Sequence, residues 1–329
     1  MSGLRSVTAK LAAAPAAIAY LGHSVTAQKD GYRPHLHAGL VALFGQPHRA
    51  VNAGFGGVGS IASVCTMDDL VIRHRPTLCF IECMTGDIGV GLRPNSGAAL
   101  EGMLRKLAAI DCAACFLNLP RQDGAGADAA AVGALYARIA AHHGIGAIDL
   151  GPDLVRAGPE FFRDVVHTTA AGGMRTAALI LERLKPLFTS AGSPRTAAPL
   201  FDKDYASATV VPVGTDALRE PAACTQGRFR LVYPTLEIGP DNEFHFHSES
   251  RELLGLLIVA GPNAGPALID GQAFELRDRW SHYERLHAVV FDAPYAAGRR
   301  VAIAPMQDAR PPAMAPPRLK LIGFLVRDV

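Results

Sequence analysis

Two short stretches of this chain hold the residue types that together make a serine hydroxyl reactive. One is Gly22-His23-Ser24; the other, far along the sequence, is Asp164-Val165-Val166-His167. A serine is a poor nucleophile at neutral pH unless a histidine takes its proton and a carboxylate holds that histidine in the right tautomer. The chemistry on offer is covalent acyl transfer. Ser24 would attack an ester carbonyl, His167 would act first as base and then as acid to the leaving alcohol, and Asp164 would orient the ring. The three-residue spacing of Asp164 and His167 lets one loop carry both. A purely structural reading stands beside this one: Ser24 as the N-cap of a helix through Val25-Thr26-Ala27-Gln28, Asp164 as another cap, and His167 as a surface residue.

Such groups must be delivered by the elements around them. Ala17-Ile18-Ala19-Tyr20-Leu21 is an apolar run ending at Gly22, which predicts a buried strand with Ser24 at its carboxyl end. Active sites of open α/β sheets lie at that edge. After Ala50-Val51, Asn52 to Ser60 is dense in glycine, and glycines let backbone N–H groups approach an oxyanion closely. A nucleotide-phosphate loop is the competing reading. The P-loop lysine is missing, however, and Gly54 to Gly59 has no clear acidic partner downstream. Leu78 to Cys83 predicts a third buried strand that breaks at a Thr85-Gly86-Asp87 turn, and Ala113 to Pro120 a fourth, carrying Asn118 near its end.

In this order the blocks resemble the SGNH (GDSL-type) hydrolase superfamily, over roughly residues 16 to 188. Gly22-His23-Ser24-Val25 looks like the nucleophile block, Gly57 like the oxyanion glycine, and Asp164 to His167 like the terminal Asp-x-x-His block. The resemblance implies catalytic Ser24, Asp164 and His167, with the Ser24 and Gly57 N–H groups facing the oxyanion. There are two departures from the family pattern. His23 stands where the family often has aspartate, and Gly86 falls where an oxyanion-hole asparagine would sit. Losing one such donor costs about a hundred- to a thousandfold in rate. The Gly86 N–H, the Thr85 hydroxyl and the Asn118 amide are the candidate replacements, and His23 and Asp87 are candidate substrate contacts. No cofactor and no metal is implied.

Composition bounds the rest. A chain of 329 residues with 49% hydrophobic content is long enough for two domains, and a net charge of +2 with scattered Lys and Arg offers no nucleic-acid footprint. Six cysteines sit mostly in apolar runs, as buried thiols do. Cys112-Ala113-Ala114-Cys115 has metal-pair spacing but no second pair. No run is long enough to span a bilayer. The basic, apolar start (Arg5, Lys10, then Leu11 to Leu21) resembles a short signal peptide, yet the run is better used as the first strand, so a cytoplasmic protein is expected, with secretion or a periplasmic location as the alternative.

Helical spacing or alanine-rich composition over 33–44, 61–74, 98–109, 128–143 and 169–188 alternates with the strands. This predicts a three-layer α/β/α sandwich with a parallel sheet over residues 1–188. A linker at 189–199 precedes short strands separated by Gly and Pro turns, at 229–233, 243–247, 253–260, 287–291, 300–304 and 319–326. Residues 200–329 therefore read as a smaller jelly-roll-like β-sandwich, of the kind that in esterase chains often looks like a carbohydrate-binding module. Its candidate binding features are His245 with His247 on one strand face, and the cluster Trp280, His282, Tyr283, Arg285. The whole reads as a serine esterase acting on O-acyl, chiefly O-acetyl, groups of a carbohydrate or polysaccharide. A polysaccharide O-acyltransferase using the same triad is the second reading, and a catalytically impaired glycan-binding protein on a hydrolase fold is the third.

Overall fold

The computed structural model describes residues 4–119, 121–122, 126–151, 158–189, 197–214, 220–226, 229–239, 241–278, 281–306 and 318–329. They form two compact units, residues 1–206 and 207–329.

The first unit is built on strands β1 (Ala17–Gly22), β2 (Arg49–Gly54), β3 (Leu78–Glu82), β4 (Ala113–Asn118) and β5 (Gly146–Asp149), all parallel, in the order β2-β1-β3-β4-β5. Their central members are buried on both faces, which is why they read as unbroken apolar runs. Helices α1 (Leu4–Ala13), α3 (Tyr32–Phe44) and α8 (Ala170–Thr189) bring Leu4, Leu11, Leu36, Leu40, Ile180 and Leu184 into one core with Ile18, Phe80 and Leu117 of the sheet. Helices α4 (Ser60–Leu70), α6 (Ser96–Ala109) and α7 (Gly126–His143) pack with one another, and two short helices, α2 (Ser24–Ala27) and α5 (Met84–Val90), sit at strand ends. The three-layer α/β/α architecture is the one expected.

Local details differ from expectation. The apolar start is not one strand: Leu4 to Ala13 is a helix and β1 begins only at Ala17, with Pro15 lying between them. Strand β2 runs into the glycine-rich block as far as Gly54. Thr85-Gly86-Asp87 is not a turn but the body of α5. The division between units falls after Ala206, beyond the expected linker, because residues 200–206 pack on α6. There the Glu101 carboxylate accepts the Leu200 and Phe201 N–H groups, and the absence of side chains at Gly97 and Gly102 makes room for Phe201 and Tyr205.

The second unit has two antiparallel sheets. The larger contains β6 (Thr209–Pro212), β7 (Glu220–Gln226), β8 (Phe229–Ile238), β10 (Arg251–Ala260), β13 (Arg285–Tyr295) and β15 (Leu319–Asp328). The smaller contains β9 (Phe244–Phe246), β11 (Ala267–Ile269), β12 (Gln272–Phe274) and β14 (Val301–Pro305). Leu256, Ile258, Leu321 and Phe324 of the larger sheet share a core with Phe246, Ile269, Val301 and Ile303 of the smaller, so the unit is a β-sandwich.

Candidate active site

Ser24 is placed by the end of β1. Gly22 closes that strand in register with Gly54 of β2 and Glu82 of β3, so the carboxyl ends of three strands meet beside the serine. His23, not Ser24, is the N-cap of α2, which leaves the serine side chain free of a capping role. Its hydroxyl instead donates to Nε2 of His167 at 2.8 Å. The other ring nitrogen, Nδ1, lies 2.8 Å and 3.1 Å from the two carboxylate oxygens of Asp164. A carboxylate only accepts, so Nδ1 carries the hydrogen and Nε2 offers its lone pair to the serine.

The Asp164–His167 pair rides on one closed loop. An antiparallel bridge joins Phe162 to Thr168, and the Arg163 N–H donates to the His167 carbonyl at 2.8 Å. Inside the loop, Oδ1 of Asp164 accepts the N–H groups of Val166 at 2.9 Å and His167 at 2.8 Å. Burial alone would raise the Asp164 carboxyl, but these N–H groups and the imidazole outweigh it and hold its pKa below the ordinary value. Gln28, just after α2, donates to the Thr168 carbonyl at 2.7 Å and so ties the base-bearing loop to the nucleophile's helix.

As the first residue of a helix, Ser24 has a backbone N–H without an intrahelical partner. Gly57 sits at φ +76°, a left-handed conformation that a side chain would disfavour, and this shapes the glycine loop. The candidate replacements for the absent asparagine are otherwise engaged. The Gly86 N–H donates to Nδ1 of His23 at 3.0 Å, Thr85 lies against the Glu82 carboxylate, and the Asn118 amide donates to Asp149. The Gly86 N–H and the Thr85 hydroxyl are thus committed elsewhere, and Asp149 takes one of the two amide hydrogens of Asn118.

Asp87 is not positioned to touch substrate either. It is buried, accepting the Ser60 N–H at 2.8 Å and the Tyr136 hydroxyl at 2.7 Å; burial raises its pKa to about 6. It anchors the starts of α4 and α5 to α7. His23 is 2% exposed, and burial lowers its pKa to about 3, so the ring is neutral. Since Nδ1 accepts from Gly86, the hydrogen is on Nε2, which has no hydrogen-bond partner among the described residues. A buried donor left unpaired costs about 1–3 kcal/mol.

Sequence reasoning missed Glu82, hidden in the apolar run of β3. It is fully buried under the nucleophile turn, where one carboxylate oxygen accepts the Thr26 hydroxyl at 2.9 Å and the His23 N–H at 3.3 Å; Thr26 in turn is bonded to the Tyr32 hydroxyl at 2.9 Å. Burial raises its pKa from 4.5 to about 7. The folded protein therefore holds a proton that the unfolded chain releases at lower pH. This contribution to stability is complete below about pH 4.5 and is lost as pH rises through about 7, on the order of 3 kcal/mol at the upper bound. Glu82→Gln, permanently neutral, is expected to show a melting temperature that falls less than the wild type's between about pH 5 and pH 8. Parallel curves for the two proteins would mean that Glu82 ionises normally.

Several other sequence candidates go elsewhere. His245 pairs with Glu243 and His247 with Glu249, each exposed. Arg285 is buried against Asp278, His282 and Tyr283 meet edge to face, and Trp280 lies outside the described residues. Cys112 and Cys115 are buried thiols whose pKa values burial raises. Among the described residues no helix is long and apolar enough to cross a membrane.

A parallel α/β/α unit followed by a β-sandwich is the fold that the order of the blocks led one to expect. Among solved structures, the chain is similar to a two-domain esterase (CEX) active on acetylated mannans. Co-crystallised with mannopentaose, that protein shows 18% identity over 99% of this chain and 95% of its own, with a TM-score of 0.78; a second structure of it gives 17% identity and 0.76 over the same shares. No protein-family model matches the chain, and no curated protein does.

Proposed function

We propose that the protein is a serine esterase that removes O-acetyl groups from a carbohydrate through an acyl-enzyme on Ser24. The observation that carries this reading is the unbroken hydrogen-bonded chain from Ser24 through His167 to Asp164 at the carboxyl edge of a parallel sheet. As Ser24 Oγ bonds to the acetyl carbon, its proton passes to His167 Nε2, and Asp164 stabilises the imidazolium through Nδ1. His167 then gives that proton to the leaving sugar oxygen. In the second half a water loses its proton to His167 as it attacks the acyl-enzyme, and His167 returns that proton to Ser24 Oγ as the acyl bond breaks and acetate leaves. The sugar half of the reading is supported by the likeness, over both units, to an esterase active on acetylated mannans.

The test is acetate release from acetylated manno-oligosaccharides, compared with release from p-nitrophenyl esters of longer acids, for the wild-type chain and Ser24→Ala. Mass spectrometry of the rapidly quenched wild type should show an acetyl group on the peptide bearing Ser24. Acetate release that survives in Ser24→Ala would remove the acyl-enzyme. An acetylated Ser24 discharged only when a sugar acceptor is added would make the protein an acyltransferase.

A further inference from the structure

The two departures from the family pattern, His23 and Gly86, turn out to be neighbours in space. A Cβ built on Gly86 would lie 2.1 Å from Cε1 and 2.4 Å from Nδ1 of the His23 ring, and 2.1 Å from the Val58 carbonyl oxygen in the glycine loop. The imidazole thus fills the space into which a side chain at position 86 would project, and any residue there other than glycine would collide with it. Helix α5 fixes the ring in place, because its Gly86 N–H holds Nδ1. The opposite nitrogen is a buried N–H donor with no partner among the described residues, on the residue that immediately precedes the nucleophile. Natural proteins rarely leave such a group unpaired without a use for it.

We infer that Nε2–H of His23 is the third oxyanion donor, standing in for the side-chain amide that Gly86 cannot supply. When Ser24 Oγ bonds to the carbonyl carbon, the C=O π pair moves onto oxygen, and Nε2–H donates a hydrogen bond to that oxygen alongside the Ser24 and Gly57 N–H groups, without giving up its proton. A neutral ring suits this role, since it presents one fixed donor and leaves Nδ1 for Gly86. The histidine and the glycine are then a single exchange: the donor has moved from α5 to the residue next to the nucleophile, and position 86 has been emptied to admit it.

This inference rests on the acyl-enzyme reading above, and a pair of substitutions separates the donor from a merely structural ring. The side-chain oxygen of His23→Asn can accept the Gly86 N–H as Nδ1 does but reaches no further. The longer His23→Gln carries its amide N–H toward the Nε2 position. With p-nitrophenyl acetate, His23→Asn is expected to lose about a hundred- to a thousandfold in kcat with KM little changed, and His23→Gln to keep most of the activity. Wild-type kcat in His23→Asn, or equal losses in both, would overturn the assignment. The unaltered chain gives an independent reading should either variant fail to fold. On phosphorylation of Ser24 by diethyl p-nitrophenyl phosphate, the proton resonance of the His23 Nε2–H should move downfield as it meets the phosphoryl oxygen, and an unmoved resonance overturns the assignment. Ser24→Ala distinguishes the two levels: if it remains active the acyl-enzyme reading fails, whereas an inactive Ser24→Ala beside a fully active His23→Asn removes only the histidine's role.

Discussion

Replacing Ser24 with alanine is expected to lower turnover of p-nitrophenyl acetate by roughly four to six orders of magnitude. The hydroxyl is the atom that forms the covalent bond, and nothing else at the end of β1 can take its place. His167 would be left to activate water directly, without the positional advantage of an attached nucleophile. The loss should be confined to chemistry. Among the described residues, the only side-chain hydrogen bond of Ser24 goes to His167, while Val25, Thr26 and Ala27 hold α2 in the core. Thermal denaturation beside the kinetics checks this: an unchanged melting temperature with collapsed turnover is the expected pair, and near-normal turnover in a folded variant would dissolve the triad.

Asp164→Asn should cost about ten-thousandfold in kcat, by a different route. Oδ1 of Asp164 accepts two backbone N–H groups, so the asparagine oxygen will keep that position and the amide nitrogen will face the imidazole. Nδ1 must then accept and Nε2 must carry the hydrogen, which leaves no lone pair for the serine proton. The geometry survives while the tautomer is wrong. Asp164→Ala should also be inactive, but it removes the acceptor for both N–H groups and is expected to melt earlier. Comparing the two variants by kcat and melting temperature separates the ring's tautomer from the loop's integrity. An active, stable Asp164→Asn would mean that His167 is oriented by something other than this carboxylate.

Much of the site was legible in the sequence because the relevant signals are local. The apolar run into Gly22 marks a strand end, Asp164 and His167 share a loop by spacing alone, and alanine-rich or amphipathic stretches located α3, α6, α7 and α8 to within a few residues. What escaped depends on partners distant in the chain. Thr85-Gly86-Asp87 has the composition of a turn, yet it is helical, with Asp87 held by Ser60 and Tyr136 and Gly86 by His23. No pattern around residue 82 says that a carboxylate can sit at full burial; the Thr26 hydroxyl and the His23 N–H supply the reason. Arg285, which its neighbours in sequence grouped into a candidate binding cluster, is instead carried by its strand into burial against Asp278.

The closed loop from Phe162 to Thr168 has a consequence for tolerance to error. A three-membered relay built on three separate supports would have two distances to hold against thermal drift. Here the Asp164–His167 distance is internal to one small ring of backbone, so displacement of that ring against the sheet alters only the separation of His167 from Ser24. Gln28, bonded to the Thr168 carbonyl, restrains that one remaining degree of freedom, which reduces the alignment of the whole relay to the seating of a single clip.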